Sequence, residues 1–483
     1  MTSGQWGSAG SGLFRRKPIG QMEEPSEGLK RSLGLWQLTS IGVGGIIGAG
    51  IFSLAGTVAH ATAGPAVLIS FLIAGVASAA AAFSYAEFAG MIPKAGSAYT
   101  YGYVVLGEIV GWCIGWDLLL EYTAIVAVVA IGISGYFGFL LGQLGIHLPA
   151  WMLGAPGTGD GHVVDLFAVA LCLLIAFLLT MGIKAAARFE TFVVGLKVAV
   201  VLVIIIVGFF FIKSSNYHPY FPFGTSGAIT GAATVFFAVF GYDALSTAAE
   251  ESKDAQRHMP KAIMYSLLIA MTLYVLVCLV LTGMQRYTDI DPESGLSSAF
   301  ASVGLPGLAS VIAGGAIIGI MTVLFTFMLG TTRVWFSMSR DGLLPKWFAK
   351  THPVRKVPTR ITWIVGVVAA VLAGFVPIGA AAELTNIGIL LAFVVVCIAV
   401  IVLRYRRPDI KRSFRCPWVP VVPAIGVLFS LWLISFLQPA TWIRFAVWFV
   451  IGLAVYFGYS RRHSLLAEGN QEPDPKRGVT TGS

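Results

Sequence analysis

Charge is scarce in this 483-residue chain: Lys, Arg, Asp and Glu make up only 11% of it, where a soluble globular chain typically carries about 25%. Hydrophobic residues reach 57%, and mean hydropathy is +0.83. A water-soluble enzyme of this length needs more polar surface than that, so most of the chain faces lipid and bilayer thickness sets the length of its elements. Disorder, collagen and coiled coil each need a composition this chain lacks. Cysteine is also sparse. Cys113, Cys172, Cys278, Cys397 and Cys416 form no CxxC pair and are odd in number, which argues against a disulfide framework or a zinc site. The seven histidines are scattered, so no metal cluster is expected, and no cofactor. Arg15, Arg16 and Lys17 are followed by no apolar h-region, so no cleaved signal peptide is expected. The net charge of +9 raises nucleic acid as a partner, and the placement of the charges decides that.

Apolar runs of spanning length lie near 35–61, 65–91, 109–142, 163–182, 189–213, 227–249, 262–284, 306–337, 360–380, 384–403, 419–437 and 441–459. The expectation is an all-α integral membrane protein with twelve transmembrane helices. An even number puts both termini on one side, and Lys and Arg mark the cytoplasmic side. With the tails cytoplasmic, every basic residue falls on the inner side except Lys213, Arg286, Arg444, Arg333 near the inner end of the eighth span, and Lys197 within the fifth. The loop 143–162 has none. The basic balance is thus a topology signal for a multi-pass plasma membrane protein, not a nucleic-acid footprint. Residues 1–30 and 464–483 read as Gly/Ser/Glu/Pro-rich cytoplasmic tails.

Two spans are interrupted. The first holds Gly42, Gly44, Gly45, Gly48 and Gly50, each weakening a helix by roughly 1 kcal/mol relative to alanine. The glycines surround the helix rather than forming one packing stripe, which favours an unwound segment over close packing. The sixth span joins Gly241 to the acid Asp243. These are the first members of two five-span halves, 31–213 and 214–403, followed by two further spans in 404–463. Paired breaks at matching positions point to an inverted-repeat transporter with its site at the breaks. A broken helix frees N–H groups at one half-helix start and C=O groups at another half-helix end. An amino acid zwitterion fits those opposed dipole ends.

Four motifs in order resemble the amino acid–polyamine–organocation superfamily: Gly48-Ala49-Gly50-Ile51-Phe52; Ser84-Tyr85-Ala86-Glu87-Phe88 with Pro93 to Tyr101; Glu250-Glu251-Ser252-Lys253 with Met259-Pro260-Lys261; and Ser339-Arg340-Asp341-Gly342 with Val357-Pro358-Thr359-Arg360. Within it, Trp116-Asp117-Leu118-Leu119-Leu120-Glu121-Tyr122 and Gly241-Tyr242-Asp243 are most similar to bacterial members of the cationic amino acid transporter family. The resemblance implies a leucine-transporter-type fold, a 5+5 inverted repeat plus two peripheral helices, and proton-coupled amino acid uptake. It also implies that the Ala49 and Gly50 N–H groups bind the substrate carboxylate and that the carbonyls of Ile46, Phe237 and Phe240 hold its ammonium. Phe237 would gate the site, with the alternative that it only packs. Glu87 would have a structural or inner-gate role.

Lys197 lies about eight residues into the fifth span, roughly 12 Å along the helix, too deep for easy snorkelling. An intramembrane ionisable group is a functional candidate by default. Where sodium-coupled relatives hold sodium, proton-coupled relatives place a lysine, so the resemblance implies proton coupling. The alternative is a structural lysine bonded to carbonyls at the first break. Glu121 is roughly 18 Å into the third span, with Asp117 one turn before it on the same face. It would pair with a cationic side chain, serve proton transfer with Asp243, or hydrogen-bond another helix. Asp243 would cap the second half of the sixth span and carry a proton. Glu250, Glu251 and Arg340-Asp341 read as loop-ordering salt bridges.

The expected function is a proton-coupled symporter importing cationic or small neutral amino acids, with substrate, proton and bilayer as partners. Its alternatives are an exchanger and a non-transporting sensor on the same scaffold. A channel predicts no pair of helix breaks. A pump needs a GxxxxGK[ST] loop, absent here, and no nucleophile–base or metal set marks an enzyme. The sequence carries no signal for or against a small membrane subunit.

Overall fold

The computed structural model describes residues 12–16, 33–92, 97–181, 186–246, 249, 252–292, 294–350, 352 and 357–467. Among them the chain forms helices and two isolated β-bridges, with no strand. In chain order these are α1 (Leu35–Ile46), α2 (Ala55–Val58), α3 (Val67–Met91), α4 (Ser97–Val105), α5 (Glu108–Gln143), α6 (Leu166–Met181), α7 (Ala186–Phe209) and α8 (Gly224–Val235). They continue as α9 (Tyr242–Ser246), α10 (Ala255–Met284), α11 (Gly295–Ser302), α12 (Pro306–Arg340), α13 (Thr359–Phe375), α14 (Ile378–Arg406), α15 (Val421–Ile434) and α16 (Pro439–Val455).

Seven helical stretches among the described residues are long and apolar enough to cross a membrane, and α6, α13 and α15 are shorter apolar helices. The eleventh span, expected over 419–437, is the shorter α15. Pro420 precedes its first residue, and a proline has no N–H to extend a helix backwards. The α5 helix has 36 residues, about 54 Å at 1.5 Å per residue, well beyond the roughly 30 Å of hydrocarbon it would cross upright. It forms the axis of the bundle, with α12 along one flank and α14 along another. The α10 helix packs on α3 and α1, and α13 on α6.

Apolar side chains turn outward as well as inward. Phe192 and Ile206 on α7, Leu268 on α10, Val311 on α12, Leu428 on α15 and Val450 on α16 are all exposed, as lipid-facing residues must be. The α16 helix is bolted to α5. Trp116 Nε1 donates to the Trp448 carbonyl at 2.9 Å, and Trp448 Nε1 donates back to the Trp116 carbonyl at 3.1 Å. Their rings stack 4.5 Å apart. One turn away, Trp112 Nε1 donates to Gly452 O. Beyond that, buried Glu108 accepts from the Tyr456 and Ser464 hydroxyls at 3.0 and 2.6 Å. The α15 helix lies instead against α14 and α3.

Candidate substrate site at two helix breaks

Both expected interruptions are present, and they touch. The α1 helix ends at Ile46, Ile47 is extended, and a helical path resumes at Gly50 as a π-helical turn to Leu54. Such turns are frequent at functional sites. The α8 helix ends at Val235 and tightens into a 3-10 turn over Phe236–Val239. Phe240 is then extended, and α9 starts at Tyr242. Between them Gly241 takes φ +125, a value open to glycine and strained for any side chain. A Cβ on Gly45 would lie 3.1 Å from the Gly241 carbonyl oxygen, and one on Gly241 would lie 2.7 Å from the Gly45 carbonyl. Glycine at both positions lets the two broken backbones meet. Ala238 abuts Gly50 in the same way.

The carbonyls released by the breaks are held by side chains from neighbouring helices. Lys197 of α7 is fully buried. Its Nζ donates to Gly44 O at 2.6 Å, Ile47 O at 2.9 Å, Gly319 O at 3.3 Å and Thr322 Oγ1 at 3.3 Å. Gly319 on α12 has no side chain to obstruct the lysine stem. The Tyr274 hydroxyl of α10 donates to Ile46 O at 2.6 Å, leaving that oxygen its second lone pair. On the other break, Ser78 of α3 donates to Val239 O at 2.9 Å. Asn386 of α14 donates to Ala233 O and Thr234 O at 2.7 and 2.8 Å. Ala49 and Gly50 stand at the start of the resumed helix, where N–H groups lack intrahelical partners, and Ala49 is fully buried.

Three acids lie in α5 and α9. Asp117, Glu121 and Asp243 are all buried. The Tyr122 hydroxyl donates to Asp243 Oδ2, and Asp243 lies in the first turn of α9, where the helix dipole favours an acid. Neither Glu121 oxygen has a hydrogen-bond partner among the described residues, nor has Asp117 Oδ1. Rings from α12 and α14 pack on the second break. Phe240 lies 6.1 Å from Phe327 and 6.0 Å from Phe393, and Tyr242 stacks on Phe393 at 5.7 Å.

Ile46, Ala49, Gly50 and Phe240 are thus gathered with Glu121, Asp243 and Lys197 around the two breaks. The Phe237 backbone lies in the 3-10 turn, and its side chain is outside the described residues, as are Glu250 and Glu251. Glu87 is elsewhere. It is buried against Arg404 Nη2, accepts from Arg412 Nε at 2.9 Å, and takes the Cys416 N–H at 2.7 Å. It thereby joins α3, the end of α14 and the loop before α15. Asp341 is buried and accepts from the Tyr99 hydroxyl at 2.7 Å, a tie the sequence reading as a surface salt bridge missed. Tyr274, Ser78 and Asn386 were missed as well. Their signal was a polar group within an apolar span, which in a membrane seeks a partner on another helix.

Compared with known proteins, residues 33–457 match the family model described as amino acid permease. A methylthioribose transporter of Bacillus subtilis is 48% identical, covering 94% of this chain and 99% of its own. A branched-chain amino acid permease of the same organism is 45% identical over the same shares. The vacuolar cationic amino acid transporter 4 of Arabidopsis thaliana is 31% identical, covering 94% of this chain and 96% of its own. These relatives are transporters and permeases rather than enzymes. With its apolar helices and this family match, the chain is a multi-pass membrane protein, and it belongs to the amino acid permease family of the amino acid–polyamine–organocation superfamily.

Proposed function

We infer that this protein is a proton-coupled amino acid importer working by alternating access, with the substrate bound where the two breaks meet. The observation that carries the reading is Lys197 Nζ inside the α1 break. Its ammonium has three donors, and oxygens of α1 and α12 surround it. Loss of a proton removes a donor and the positive charge, so the grip on Gly44 O and Ile47 O loosens. Protonation is thereby linked to the geometry of the Ala49 and Gly50 N–H groups that would receive the substrate carboxylate. The carbonyls of Ile46, Phe237 and Phe240 would take the ammonium, and Phe237 would act as the gate. Asp243, held by Tyr122, and Glu121 would pass the proton onward. Glu87, tied to two arginines, would brace the inner side.

The same reading makes the chain twelve crossings with both tails in the cytoplasm. Residues 31–213 and 214–403 would form the inverted halves and 404–463 the two peripheral crossings. The equivalent breaks in α1 and α8 support that division. An unpaired Glu121 would suit a cationic side chain, and the aromatic wall suits apolar ones. Exchange, or sensing without flux, would use the same site.

Uptake by purified protein in proteoliposomes tests this. Labelled arginine, alanine and leucine are offered with and without an inward proton gradient. Accumulation of at least one of them, raised by the gradient, is expected. Gradient-independent uptake would remove proton coupling, and binding without flux would leave a sensor. A second substrate reading has its own support in the 48% identical methylthioribose transporter. Uptake of methylthioribose with none of the amino acids would replace the zwitterion reading.

A further inference from the structure

The side chains that hold the two breaks follow one pattern, and only one member of the pattern carries charge. Lys197 on α7 holds two carbonyls at the end of α1, Gly44 O within it and Ile47 O just past it. Asn386 on α14 holds the last carbonyls of α8, Ala233 O and Thr234 O. In the five-and-five division proposed above, α7 closes the first half and α14 the second, so the two residues occupy equivalent places. The crossed pair agrees with this. Tyr274 on α10, second in its half, serves the α1 break, and Ser78 on α3, second in the other, serves the α8 break.

We propose that Asn386 is the positioning residue of the α8 break, the uncharged counterpart of Lys197. Both groups facing its side chain are carbonyls, so only the amide nitrogen can meet them, and its two N–H bonds supply one donor to each. Asn386 is fully buried, so water does not compete for those donors. It stands two turns before Phe393, which packs on Phe236, Phe240 and Tyr242. The α14 helix therefore grips the break at two points on one face, one polar and one aromatic. An amide does not titrate, so the hold on Ala233 O and Thr234 O stays the same through a proton cycle. The titratable group on this side is Asp243, in the first turn of α9 and held by Tyr122, past the carbonyls that Asn386 holds. The Asn386 oxygen is buried and has no hydrogen-bond partner among the described residues.

The proposal rests on the breaks being the substrate site, and the experiment separates the two claims. Asn386→Leu keeps the shape of the side chain and removes both donors. Hydrogen exchange of the backbone over residues 233–241 is compared with the rest of the chain, and apparent substrate affinity is measured beside it. Exchange at least about tenfold faster in that segment alone, with apparent affinity about tenfold weaker and maximal rate less affected, is expected, since each of the two hydrogen bonds lost contributes up to about that order. Unchanged exchange there, or a uniform rise across the protein with a lower melting temperature, overturns the proposal. Faster local exchange with wild-type affinity upholds Asn386 as the holder of the break and instead removes the break as the substrate site. Asn386→Ala, which adds no apolar branch, gives the same readout if the leucine variant does not fold.

Discussion

Lys197 and Glu121 are opposite cases of burial. The lysine has an oxygen for each of its donors, whereas the glutamate has no hydrogen-bond partner among the described residues. A buried charge without a partner costs several kcal/mol, so under the proposed function a proton or a cation would relieve that cost at Glu121. Lys197→Met keeps the stem and removes the donors. Uptake in that variant is expected to lose its response to the proton gradient, while exchange under symmetric pH survives. Wild-type gradient dependence would leave Lys197 a structural lysine. Glu121→Gln separates its two roles. If it pairs with a cationic side chain, arginine uptake falls at least about tenfold, the order of one charge-assisted hydrogen bond, while alanine uptake is spared. Equal loss of both, with a flattened pH profile, assigns it to proton transfer.

At the scale of elements, the breaks depend on backbone shape before they depend on chemistry. Gly241→Ala puts a side chain at φ +125, which costs about 1–3 kcal/mol, and brings it against the Gly45 carbonyl. Transport in folded Gly241→Ala protein is expected to fall to near background, with little of the loss recovered at high substrate. Activity near wild type would mean that the two backbones need not meet. Glu87 works between elements. Glu87→Gln leaves buried Arg412 facing a neutral amide and is expected to destabilise the protein by about 3–5 kcal/mol, read as a lower melting temperature in detergent. An unchanged melting temperature with altered transport would make it a gate instead of a brace. The glycine cluster of the first span, and the single Gly241 beside Asp243 in the sixth, made the breaks legible in the sequence, because glycine's helix penalty is a local property. The residues that hold the breaks were not legible: Tyr274 and Ile46 lie 228 positions apart, and Asn386 and Ala233 lie 153 apart. A hydrogen bond across that separation leaves no periodic trace. Lys197 was the exception, since a cation in an apolar run declares that it needs partners without naming them.

Over the whole molecule, hydropathy announced a membrane protein, and seven helical stretches among the described residues are long and apolar enough to cross one. The lengths were less legible. Residues such as Pro420 cut α15 short, and the bend and π-turns inside the first run look as apolar as the helix around them. The asymmetric basic residues give a test at this scale. Single cysteines at position 14 and position 465 should react only with reagents that enter the cell, and a cysteine in the loop 143–162 should react with impermeant ones. Labelling of the two ends from opposite sides would break the twelve-crossing reading.

The reciprocal bonds between Trp116 and Trp448 also have an optical consequence. Indoles stacked 4.5 Å apart, with Trp112 5.5 Å beyond, exchange excitation and quench one another. With the other tryptophans of the chain replaced by phenylalanine, the seam between α5 and α16 is thus an emission probe beside Asp117. If the two helices move as one body, that emission stays constant while substrate binds. If they part, the protein brightens, and the rate of brightening times the opening without any added label.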